Sequence, residues 1–136
     1  MNIYLDVDGV LLDRIGCAAP NLEEFLRQNV TGNTYWLTTR AKGDPTQLTV
    51  LFQPLVAPDI FELIKTIKPT TWHTSKTEAI DFTQPFIWYD DNPLVFELDD
   101  LKRHGVEPSL IRIGHNATGV PILPLRQTAS ASTPQL

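Results

Sequence analysis

Three short, apolar, β-prone runs in this chain each end in oxygen-bearing side chains, and helical patterns separate them. The first, Asn2–Leu5, leads straight into Asp6-Val7-Asp8-Gly9. A short apolar run that ends in acid and glycine reads as a buried strand and its exit loop. The second, Thr34–Thr38, is followed by Thr39 and Arg40, and the third, Phe86–Tyr89, ends in Asp90 and Asp91. Strands that alternate with helical patterns every ~25–35 residues mark βαβ units and a parallel sheet. Ligands of an open parallel sheet bind beyond the carboxyl ends of its strands. Asp6, Asp8, Thr38, Thr39, Asp90 and Asp91 are therefore expected along one edge.

Between these runs the spacing predicts a helix over 21–29, capped by Asn21, with Leu22, Phe25 and Leu26 on one face. Residues 39–57 are broken by Gly43 and Pro45 and fit helix or strand. Further helices are expected over Asp59–Lys65, 76–82 and Leu94–His104, with Pro69 and Gly105 as stop signals. Short strands are expected at Thr70–His73 and Ser109–Ile113. Residues 1–125 read as one domain, and 126–136, rich in Ser, Thr, Ala and Gln, as a flexible C-terminal tail. A chain of 136 residues can bury a core unaided. A single cysteine, Cys17, excludes an internal disulfide and allows a reducing compartment. The net charge of −5 argues against a generic nucleic-acid coat. No apolar run approaches the ~20 residues of a membrane span. Asp6 and Asp8 do not fit a signal peptide. The expected location is the cytoplasm, with no membrane partner.

Four carboxylates cannot share one crevice as bare anions, because like charges force some to protonate. A hard divalent cation resolves this, and magnesium takes one or two carboxylates plus a substrate phosphate. His73, His104 and His115 are scattered, which disfavours a structural zinc site. A metal beside an aspartate suits phosphoryl transfer, because it lets one anion approach another. One aspartate can attack phosphorus, and a second two residues away can protonate the leaving oxygen and then activate water. Thr38 and Lys76 are candidates to bind the transferring oxygens. Arg14, Arg40 and Lys42 read first as surface residues, and second as groups that steer an anion. Trp36, Trp72 and Trp88 read as packing residues.

Tyr4-Leu5-Asp6-Val7-Asp8-Gly9-Val10 resembles the first motif of the haloacid dehalogenase (HAD) superfamily. Trp36-Leu37-Thr38-Thr39-Arg40 is similar to its second, Lys76 at the head of Lys76-Thr77-Glu78-Ala79-Ile80 to its third, and Ile87-Trp88-Tyr89-Asp90-Asp91 to its fourth. The four stand in the family's order over residues 3–93. The resemblance implies that Asp6 is the nucleophile and a magnesium ligand. It implies that Asp8 is the general acid/base, with its backbone carbonyl also on the metal. Thr38 (or Thr39) and Lys76 would hold the phosphoryl oxygens, and Lys76 would steady Asp6. Asp91 would be the main ligand of the fourth motif, and Asp90 would bind directly or through water. The implied fold is a Rossmann-like, HAD-like three-layer α/β architecture around a central parallel sheet.

Larger members of that superfamily carry a cap domain between motifs. The gaps at 9–37 and 39–75 are already occupied by expected core elements, so the chain resembles a capless member with no full cap domain and an open site. The expected activity is a magnesium-dependent phosphatase acting on a phosphomonoester through an aspartyl-phosphate intermediate. The substrate class spans a small molecule, a nucleotide or a nucleic-acid end, and a homo-oligomer partner covering the open site is a further expectation. Alternatives are a non-catalytic phospho-acceptor, like a response-regulator receiver, or a binding protein that retains the fold. Receivers place an adjacent acidic pair after the first strand, whereas this chain has the spaced Asp6 and Asp8 first and the adjacent pair late.

Overall fold

The computed structural model describes residues 1–126. Its chain is an α/β mix in which four parallel strands are flanked by helices, an arrangement compatible with a Rossmann-like fold. The strands are β1 (Asn2–Leu5), β2 (Thr34–Trp36), β3 (Phe86–Asp90) and β4 (Leu110–Arg112), in the spatial order β2-β1-β3-β4. β1 sits between β2 and β3, with Leu5 opposite both Trp36 and Tyr89. The register brings the carboxyl ends of β1 and β3 side by side, so Asp6 and Asp90 leave the sheet as neighbours.

Side chains alternate across a strand. Ile3, Leu5, Trp36 and Tyr89 enter one hydrophobic cluster, whereas Tyr4, Leu37, Phe86 and Trp88 enter another. The first cluster takes the apolar faces of α1 (Leu22–Asn29), α2 (Thr46–Phe52) and α3 (Pro58–Lys65) through Phe25, Phe52, Ile60 and Ile64. The second takes Leu101 of α4 (Val95–Arg103). The ambiguous stretch 39–57 is therefore helical where it counts. Leu48 and Phe52 both reach the core while Val50 between them is exposed, which a period of two would not allow. Trp36 stacks on Phe52 at 5.9 Å between centroids, and Trp36 and Trp88 are fully buried packing residues.

Three expectations shift. The strand expected at Thr70–His73 does not form. Instead Lys68 bridges Tyr35 and exchanges backbone bonds with Thr34 and Trp36, and the ladder stops at Pro69, which has no N–H to donate. The helix expected over 76–82 is a single 3₁₀ turn, Lys76–Ala79, closed at its start by Ser75 and Glu78. Arg126, assigned to the tail, is tied to Gln28. Its N–H donates to Gln28 Oε1 at 2.8 Å, and its carbonyl accepts from Gln28 Nε2 at 2.9 Å. The rest of the expected tail lies outside the described residues. After β4 the chain forms a hairpin, β5 (Gly114–His115) and β6 (Pro121–Ile122), which the sequence reading did not anticipate. No helix among the described residues is long and apolar enough to cross a membrane.

Candidate functional site

A cavity of about 470 Å³ opens at the carboxyl ends of β1 and β3. Asp6, Asp8, Thr39, Lys76 and Asp91 contribute to its wall, joined by Arg14 and His115. The first five come from four separate stretches of chain, of which the sequence pattern directs three, the strand ends, to one edge. Asp6 is the first residue past β1, and its Oδ1 accepts from the Val7 N–H at 2.8 Å, which fixes its rotamer toward the sheet edge. Asp90 closes β3, and its Oδ1 accepts from the Asn92 N–H at 2.9 Å.

Lys76 binds the two strand ends together. Its Nζ lies 2.7 Å from Asp90 Oδ2 and 3.3 Å from Asp6 Oδ2, and all three side chains are nearly buried. Glu97, itself buried, holds the lysine's backbone. Glu97 Oε2 accepts from the Lys76 N–H at 2.8 Å, while Oε1 accepts from the Leu94 N–H at 2.9 Å. Lys76 is thus fastened to the first turn of α4 by its backbone and to Asp6 and Asp90 by its ammonium.

Asp6, Asp90 and Asp91 each offer an oxygen within 4.8 Å of the others, a spacing from which one cation can be shared. A single lysine does not neutralise three acids. Burial, then the Asp90 charge, pushes Asp6 up to about 7, although Lys76 and the Val7 N–H pull the other way. Burial and Asp90 raise Asp91 as well. Burial opposes the charge on Lys76, but Asp6 and Asp90 together hold it above its ordinary value. Three oxygen donors with surplus negative charge suit a hard divalent ion such as magnesium. Gly9 makes room for the third of them. It has φ +78°, and a Cβ there would stand 2.1 Å from Asp91 Oδ2.

Other expected residues stand differently. Asp8 lies at the cavity wall but outside the carboxylate cluster, and Arg40 occupies both its oxygens at 2.7 and 2.8 Å. Thr38 is fully buried, with its Oγ1 accepting from the Arg40 N–H at 3.2 Å, whereas Thr39 lines the cavity. Lys42 is drawn away, with its ammonium 3.7 Å from the centre of the Trp72 ring. None of the three tryptophans lines the cavity.

His115 was scattered in sequence yet arrives at the site on the hairpin. Its Nε2 lies 2.9 Å from the Gly9 carbonyl and 3.9 Å from Asp91 Oδ2. A carbonyl only accepts, so Nε2 carries the proton. Glu97 and His115 are the contributors that sequence reasoning did not assign, and Arg40, read as a surface or anion-steering residue, is instead committed to Asp8. Only Glu97 left a signal, as the third residue of a helix start, where a carboxylate reaches back to the cap N–H. The chain matches no family, no curated protein and no solved structure.

Proposed function

We propose that the chain is a magnesium-dependent phosphohydrolase of HAD-like, capless architecture that cleaves a phosphomonoester through an aspartyl-phosphate on Asp6. The observation that carries this reading is the Lys76 ammonium shared between Asp6 and the buried Asp90, with Asp6, Lys76 and Asp91 lining one open cavity. The lysine keeps a buried nucleophile close to the surplus charge of two further acids. That arrangement is worth maintaining where a cation and an anion are to be bound together.

Asp6, Asp90 and Asp91 would hold the magnesium, which when bound would neutralise the phosphoryl oxygens. Lys76 and Thr39 orient those oxygens from the cavity wall. An Asp6 oxygen attacks phosphorus, the bond from phosphorus to the ester oxygen breaks, and Asp8 gives the leaving oxygen its proton. Asp8 then takes a proton from water, the water oxygen attacks phosphorus, and the acyl-phosphate bond breaks. Inorganic phosphate leaves and the Asp6 carboxylate is restored. Asp8 performs both steps in competition with Arg40, which takes one lone pair on each of its oxygens, so substrate entry and that ion pair are coupled.

That same ion pair favours a second reading. With Asp8 held by Arg40, Asp6 would accept a phosphoryl group and release it slowly, as a phospho-acceptor does. Phosphate release from a panel of phosphomonoesters, with and without magnesium, separates the two. Catalytic turnover supports the phosphohydrolase. A stable phosphoryl group on Asp6, seen as a mass increase without turnover, supports the acceptor. Hydrolysis undiminished in Asp6→Asn refutes both.

A further inference from the structure

The cavity wall holds one cation that the chemistry above does not use. Lys76 is shared by Asp6 and Asp90, and His115 gives its Nε2 proton to Gly9, while Arg40, outside the cavity wall, is spent on Asp8. Arg14 lines the same cavity and has no acidic partner among the described residues. Packing against the hairpin turn, rather than a salt bridge, sets its place. An added Cβ on Gly119 would lie only 3.5 Å from Arg14 Nε and 3.6 Å from Cζ, so the guanidinium rests against that glycine.

The platform beneath it is well built. Asn116 Oδ1 accepts from Thr118 N–H, Thr118 Oγ1 and Val120 N–H, which closes the turn between β5 and β6. His115 fastens the same hairpin to the loop of the proposed nucleophile. A planar guanidinium with uncommitted N–H donors is suited to bidentate capture of a carboxylate or phosphate. In a chain of net charge −5 whose other cavity cations are all engaged, this one is left for a ligand.

We propose that Arg14 is a specificity-determining residue that receives a second anionic group of the substrate. The preferred substrate is then a small phosphomonoester that also bears a carboxylate. This inference rests on the phosphohydrolase reading. A cavity of about 470 Å³ is of the size that encloses a small molecule.

The test is a series of phosphorylated ω-hydroxy acids of increasing chain length, each set against the alkyl phosphate of the same length. Phosphate release and calorimetric binding are both measured with magnesium present. At one chain length the carboxylate-bearing ester is expected to win by about tenfold or more in kcat/KM. Arg14→Gln removes that ratio and Arg14→Lys restores part of it, whereas Arg103→Gln, remote on α4, leaves the ratio unchanged. A ratio near one at every length, or one that survives Arg14→Gln, overturns the inference while the phosphatase stands. If nothing is hydrolysed, the phosphatase reading falls, and the binding data decide alone. A tenfold affinity gap abolished in Arg14→Gln supports the subsite, and equal affinities overturn it.

Discussion

Arg40 grips Asp8 with two prongs, Nε to Oδ2 at 2.7 Å and Nη2 to Oδ1 at 2.8 Å. Both side chains are close to half-exposed, so the pair adds little to stability. Its consequence is for chemistry, because the guanidinium takes one lone pair on each Asp8 oxygen and competes with a substrate for that carboxylate. Asp8→Asn should lower turnover by about 10²–10⁴-fold, the usual worth of a general acid/base. Arg40→Ala should shift folding stability by no more than ~1 kcal/mol and speed hydrolysis of the phospho-enzyme. Single-turnover kinetics read this directly. If Arg40→Ala slows the step as much as Asp8→Asn does, Arg40 is a working part rather than a restraint.

Asp6 makes the site sensitive to pH. Its carboxyl is raised from 3.8 to about 7 in the folded chain, first by burial and then by Asp90. A raised carboxyl favours folding in its protonated form. That stability is complete below the unfolded value and is lost as pH rises through about 7. Lys76 is raised too, so it stays charged across this window. Without metal, melting temperature should therefore fall between pH 5 and 8 by more than in Asp6→Asn. Magnesium should bind more tightly as pH rises toward 8 and release a proton at pH 6. Calorimetry in two buffers of different ionisation enthalpy measures that proton, and its absence would place the cation away from Asp6.

Much of the fold was legible because burial imposes periodicity. Ile3 and Leu5 face one core and Tyr4 the other, and α1, α3 and α4 formed within a residue or so of the expected bounds. The edge at Thr70–His73 was misread because β-prone composition says nothing of a missing donor at Pro69. At the site, acids at strand ends were legible since parallel pairing alone aligns Asp6 with Asp90. The partners of those acids were not. His115 reaches Gly9 from 106 residues away, and Arg40 reaches Asp8 from 32, distances over which local pattern carries no information. Thr38 and Thr39 alternate across the strand exit, and sequence alone does not say which one turns inward.

Lys76 should matter for folding before it matters for catalysis. Removing its ammonium leaves Asp6 and Asp90 buried without a cation. Breaking a buried ion pair by deleting one partner costs about 3–5 kcal/mol. Lys76→Met should lose stability on that scale in urea denaturation without metal, and millimolar magnesium should restore part of it. Loss without any rescue would mean that the acids do not share a cation.

Gly9 offers the sharpest structural test of the proposed metal ligands. Its φ of +78° already disfavours a side chain, and the space a Cβ needs is occupied by Asp91 Oδ2. Strain at a left-handed position costs of order 1–3 kcal/mol, which Gly9→Ala should show as a lower urea midpoint. The clash adds a second effect. Asp91 must turn aside, and with it goes one of the three oxygens within 4.8 Å of each other. Magnesium affinity should then fall by at least as much as in Asp91→Asn, even though Gly9→Ala removes no donor atom. A variant that is destabilised yet binds magnesium as the parent does would show that Asp91 is not a ligand. That result would leave the cation to Asp6 and Asp90, with Lys76 beside them.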